Sequence, residues 1–84
     1  MEQAITDLYK RVAKNIAFLR KTQNLSQNNF VIEFSNFSGV EYKRSSIAAL
    51  EENRNKINIH TILMYSQFFK VPIDDIVNKD LTEK

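Results

Sequence analysis

Apolar residues recur at Ile5, Leu8, Tyr9, Val12, Ala13, Ile16 and Leu19, in steps of three and four that lay one stripe along a helix of about five turns. Lys21, Thr22, Gln23 and Asn24 interrupt the stripe. Ser26 then offers an N-cap hydroxyl, and Leu25 and Phe30 occupy the two positions of a hydrophobic staple, so a second helix starts at Gln27. Its apolar residues are Phe30, Val31 and Phe34. The turn-rich Ser35-Asn36-Phe37-Ser38-Gly39, which holds the single glycine, predicts a bend directly after them.

A third helix is expected from about Lys43 to Glu52, with Ile47 and Leu50 as its apolar edge and Asn53 closing it in the left-handed conformation. Asn58 repeats the capping device, with Ile57 and Ile62 as the staple. Ile59, Ile62, Leu63, Ser66 and Phe69 then keep helical spacing until Val71 and Pro72. Pro72 suits a first turn, Asp74 and Asp75 suit the electropositive end of a helix, and Ile73, Ile76 and Val77 give a short fifth helix its apolar face. The tail, residues 79–84, is expected to fray. No repeat, low-complexity segment or linker divides the chain, so residues 1–84 read as one all-α domain, a compact bundle of five helices.

Composition narrows the chemistry. One glycine and one proline in 84 residues leave few tight turns for a many-stranded sandwich or barrel, which favours helices further. With no cysteine and one histidine, zinc-finger, iron–sulfur, thiol-nucleophile and multi-histidine metal sites are excluded. No apolar run approaches the roughly 20 residues that cross a bilayer, and the first ten residues lack a signal-peptide pattern, so a cytoplasmic protein is expected. Ser45 and Ser46 lack the glycine elbow of a nucleophile, no glycine-rich loop cradles phosphate, and Asp74 and Asp75 read as helix caps. The expectation is a protein that is not an enzyme and takes no cofactor or metal.

The formal net charge of +2 is weak evidence of a partner, but its distribution is uneven. Residues 9–70 hold ten basic and four acidic side chains, a balance of +6, while the two ends together carry −4. The middle of the chain thus suits an anionic partner.

Four stretches carry a resemblance. Val12-Ala13-Lys14-Asn15-Ile16-Ala17-Phe18-Leu19-Arg20-Lys21, Leu25-Ser26-Gln27, Ile47-Ala48-Ala49-Leu50-Glu51 and Val71-Pro72-Ile73-Asp74-Asp75-Ile76 stand in that order. Together they resemble the helix-turn-helix domain of the Cro and phage-repressor type, the XRE family. The likeness covers residues 12–77 and leaves residues 2–11 as a helical N-terminal extension. This chain carries about six residues more between Gln27 and Glu51 than the family pattern, a lengthened turn between helices 2 and 3, and Val31 stands where the family has a small residue.

The resemblance implies a lambda-repressor-like fold and a transcriptional regulator, a repressor before an activator, that lays its third helix in the major groove of double-stranded DNA. It implies base contacts from Lys43, Arg44, Ser45 and Ala49. Lys and Arg donate to guanine O6 and N7, Ser to either base or phosphate, and Ala touches only a thymine methyl. It implies phosphate contacts from Gln27, Ser46, Asn53, Arg54, Asn55 and Lys56, and an internal ion pair between Arg20 and Glu51. A homodimer on a roughly palindromic operator is expected, since one small domain touches too few base pairs for useful specificity. The last helices, with Phe69, Ile73, Ile76 and Val77, are the family's dimer surface, and the extended first helix offers another.

Each feature also has a plainer meaning. Lys43 and Arg44 fit an ordinary solvated helix start, Arg54 to Lys56 a polar loop, and His60 an exposed surface residue. Phe37 and Tyr42 fit either local packing under the long turn or a partner contact. The alternative function is a protein-interaction module, an antitoxin or anti-repressor partner on the same fold, with weak and sequence-indifferent DNA binding.

Overall fold

The computed structural model describes residues 2–82. Five helices follow one another: α1 (Glu2–Thr22), α2 (Gln27–Ser38), α3 (Arg44–Glu51), α4 (Ile59–Phe69) and α5 (Ile73–Asn78). No strand occurs among the described residues, and no helix there is long and apolar enough to cross a membrane. α1 is the spine, packed on α3 and α5; α4 rests on α5 and α2, and α2 on α3.

The stripe read from the sequence is the face that α1 buries. Val12, Ile16 and Leu19 meet Phe30, Phe34, Ile47, Ile57, Ile62, Tyr65 and Ile76 in one core. Three of those ten core residues are aromatic, and partly buried rings pack around them. Phe30 stacks on Phe34 at 4.8 Å and on Tyr65 at 5.4 Å, and Phe68 meets Phe34 edge-on at 5.6 Å. Such pairs contribute about 0.5–1.5 kcal/mol each beyond the area they bury.

The two predicted N-caps are formed. Ser26 Oγ accepts from the Asn29 N–H at 3.1 Å, and Asn58 Oδ1 accepts from the Thr61 N–H at 2.8 Å. Asn53 takes the left-handed conformation expected of it, with φ 57°.

Two boundaries differ from the sequence reading. Ser35–Ser38 continue α2 for one more turn, and the bend comes only at Gly39, where φ is 74° and the N–H returns to Ser35 O at 3.0 Å. A helix end of this kind needs a left-handed residue, and glycine takes that conformation without steric cost. Part of the surplus between Gln27 and Glu51 is therefore an extra helical turn. α4 ends before Val71, as the sequence reading has it: Lys70 turns left-handed at φ 58° and the Ser66 hydroxyl donates to Val71 O at 2.6 Å.

The second difference is the tail. Residues 79–82 are not frayed, because buried Asn15 of α1 latches them: its Nδ2 donates to Ile76 O and Lys79 O, each at 2.7 Å, and its Oδ1 accepts from the Leu81 N–H at 2.9 Å. Arg11 Nε donates to Val77 O at 2.8 Å. These donors satisfy carbonyls that the end of α5 leaves without helical partners. Leu81 packs against the core and Lys14 pairs with Asp80 at 2.8 Å. Glu83 and Lys84, the rest of the predicted frayed segment, lie outside the described residues.

Candidate nucleic-acid interface

α3 is anchored on one side and open on the other. Ile47 is fully buried and Leu50 packs against the core. Lys43, Arg44, Ser45 and Ser46 are all exposed around its start. Lys43 sits at the N-cap position without a side-chain cap bond, and no acid lies in the first turn. The first amide with a helical acceptor is that of Ile47, which donates to Lys43 O at 3.1 Å. The N–H groups of Arg44, Ser45 and Ser46 thus point out of the positive end of the helix dipole, beside two cations.

Ala49 does not belong to that surface. It lies on the core side of α3 and is 4% exposed, so a base edge has no path to its methyl group, and its place among the base contacts is withdrawn.

Glu51 explains how α3 is held. Arg20 Nε donates to Glu51 Oε2 at 2.7 Å and Arg20 Nη2 to Glu51 Oε1 at 3.0 Å, with both side chains nearly buried. This is the ion pair that the resemblance implies. The hydrogen bond to Glu51 is the main reason that the Arg20 pKa is raised above its ordinary value. Arg20 Nη1 also donates to Leu25 O at 2.7 Å, so one guanidinium ties α1, the α1–α2 turn and the end of α3. Gln27 is half-buried and donates through Nε2 to Glu51 Oε1 at 3.2 Å. That bond takes one of its two amide hydrogens and leaves the other for a phosphate.

The loop after α3 is compact and polar. The Arg54 and Asn55 amides both return to Ala49 O, at 2.8 and 3.3 Å. Asn53, Arg54, Asn55 and Lys56 are exposed. Arg54 Nε pairs with Glu52 at 3.2 Å, an exposed contact of the kind that contributes little. Lys56 reaches back, its Nζ 5.5 Å from the centre of the Tyr9 ring. α2 adds no cation to this surface, since its one charged residue is Glu33.

The connection between α2 and α3 is ordered by its own packing. Tyr42 stacks on Phe34 at 4.8 Å and donates its N–H to Ser35 Oγ at 2.9 Å, which satisfies the local-packing reading. Phe37 meets Phe68 edge-on at 5.4 Å yet stays 49% exposed. Exposed Ile32 and Val40 line a separate shallow groove with Val31 and Tyr42, a feature the sequence reading missed because neither exposed residue falls on a core spacing. His60 is exposed, as expected.

The predicted dimer set divides. Ile76 is fully buried inside its own chain and is withdrawn, while Phe69 is half-buried in the aromatic core and Ile73 and Val77 are half-buried around α5.

No family model, curated protein or solved structure gives a significant match to this chain.

Proposed function

We propose that this chain is a sequence-specific, double-stranded DNA-binding transcriptional regulator of the lambda-repressor-like helix-turn-helix type, a repressor that inserts α3 in the major groove as a homodimer. The observation that carries the reading is the start of α3. Lys43, Arg44 and Ser45 are exposed on a helix whose other side is locked by Ile47, Ala49 and Glu51. A rigidly seated helix with free donors at its N-terminus has the equipment for base readout. Ser46, Gln27 and the loop Asn53, Arg54, Asn55 and Lys56 supply phosphate contacts, which position the protein and give affinity its salt dependence.

The test is selection from a randomised duplex pool, followed by affinity measurement on the winner and on scrambled DNA at two salt concentrations. The expected result is an enriched sequence whose preference is lost in the Lys43→Ala, Arg44→Ala double variant while salt-sensitive binding remains. No enrichment, with equal binding by both proteins, overturns base readout.

A second reading has its own support in the exposed Ile32, Phe37 and Val40 beside the α2–α3 connection. On that reading the chain is an interaction module, an antitoxin or anti-repressor partner, and binds a protein through this surface. Ile32→Glu then abolishes the protein contact, and DNA binding is weak and indifferent to sequence.

A further inference from the structure

The sequence leaves open which surface of the chain meets a second copy. Of the expected set on the last helices, Ile76 is buried and Phe69 is stacked in the core, whereas Val77 borders another face. That face is unpartnered. The first turns of α1 run past the bundle: Gln3–Asp7 are all exposed, and Ile5 is 49% exposed although it continues the stripe that α1 buries further on. Beside it lies a groove of about 170 Å³ lined by Leu8, Tyr9 and Val12 of α1, by Ile57 and Ile62, and by Val77 of α5, with Ile59 at its mouth. Ile59 is 75% exposed, and Leu63, one turn along α4, is 38% exposed.

We infer that this face is the homodimer interface, with Ile5 of each copy seated in the α1–α4 groove of the other. The inference rests on the homodimer in the function proposed above and names its surface. Three observations select a second copy as the occupant. The groove has room for one large aliphatic group, comparable to cavities of about 150 Å³ that take up a benzene, and the chain carries such a group on a projecting helix end next to it. A two-fold axis makes that match reciprocal, as a closed dimer requires.

Charge is complementary as well. The first seven residues carry two acidic side chains and no basic one, whereas the groove wall carries a cation, Lys56, whose Nζ lies 5.5 Å from the centre of the Tyr9 ring. Docking Ile5 in the partner's groove brings the acidic segment that holds Asp7 toward that cation, and opposite charges so placed attract at moderate salt.

Finally, the face adjoins the loop that follows α3, through the contact of Lys56 with Tyr9. A dimer built there leaves both α3 N-termini uncovered, as reading two half-sites demands. The other exposed apolar surface, at Ile32 and Val40, borders the connection into α3, so a copy seated on it crowds the residues that read bases.

The experiment is sedimentation equilibrium on the full chain at micromolar concentration, with circular dichroism as a check of folding. Wild type is expected to be dimeric. Ile5→Glu and Ile59→Glu each raise the dimer dissociation constant by about 30-fold or more, as removal of a central anchor does, with helicity unchanged because both side chains are exposed. Ile32→Glu leaves the dimer intact.

The chain contains no cysteine, so an Ile5→Cys protein mixed with an Ile59→Cys protein reports the contact directly as an intermolecular disulfide. An Ile5→Cys protein mixed with Ile32→Cys gives none. A monomeric wild type, or a dimer indifferent to both Ile5→Glu and Ile59→Glu, overturns the inference. Half-site binding by the monomeric variant is measured in parallel. A sequence preference there with a monomeric wild type sinks only the interface, and a dimer with the expected variant pattern but no preference sinks only the DNA reading.

Discussion

Arg20 and Glu51 meet as a bidentate pair, at 2.7 and 3.0 Å, between the end of α1 and the end of α3, where water hardly reaches. Removing one partner strands the other as a buried charge. Glu51→Ala is expected to destabilise the chain by about 3–5 kcal/mol in denaturant unfolding, a large share of the total stability of a small domain. The double variant Arg20→Met, Glu51→Leu is expected to cost much less, because no charge is then left buried.

The outlying cations of the proposed interface act differently from the first turn of α3. Arg54→Ala is expected to weaken binding by a similar factor on every duplex and to reduce the slope of log affinity against log salt by about 0.9, the signature of one lost phosphate contact. A change of preferred sequence in that variant counts against the assignment.

Asn15 makes three hydrogen bonds to α5 and the segment after it, one to Ile76 O and two beyond the helix end. Asn15→Ala is expected to cost about 1–3 kcal/mol, since two carbonyls and an amide lose their partner. Hydrogen exchange localises the effect: the Leu81 amide speeds up before the amides of α4 do.

The Lys14 ammonium beside Asp80, followed by Thr82, holds the Asp80 carboxyl down to about 2 from its ordinary 3.8. A carboxyl depressed in the folded state favours folding above its ordinary pKa, and that contribution fades as pH falls from about 4 to about 2. The expected observation is an Asp80 carboxyl titrating near 2 by NMR, returning toward 3.8 in Lys14→Ala.

Tyr65 is fully buried, and its hydroxyl has no hydrogen-bond partner among the described residues. Burial, and then the charge of Glu51, push its pKa up. An unsatisfied buried hydroxyl opposes folding. Tyr65→Phe keeps the ring in its stack with Phe30 and is expected to stabilise the chain by about 1 kcal/mol in thermal or denaturant unfolding.

Much of this molecule was legible from local pattern. The stripe from Val12 to Leu19, the Ser26 and Asn58 caps, and the left-handed Asn53 each depend on residues within a turn or two of one another, so periodicity and side-chain type were enough. The extra turn of α2 was not, because Ser, Asn, Phe and Ser are weak punctuation. What carried the helix on to Gly39 was a ring contact between Phe37 and Phe68, thirty-one positions away in the chain.

The sequence by itself determined that the chain makes five helices, where most of them begin, and that its cations gather in the middle. Only the tertiary structure decided how deeply particular residues of the helix faces lie. It turned Ala49 and Ile76 into the core, and it bound the tail to Asn15 across sixty-six positions through Leu81. It also left Ile5 and Ile59 exposed beside one groove. The physical reason is that capping and periodicity are local energies, whereas burial and long-range hydrogen bonds exist only once distant segments have been brought together.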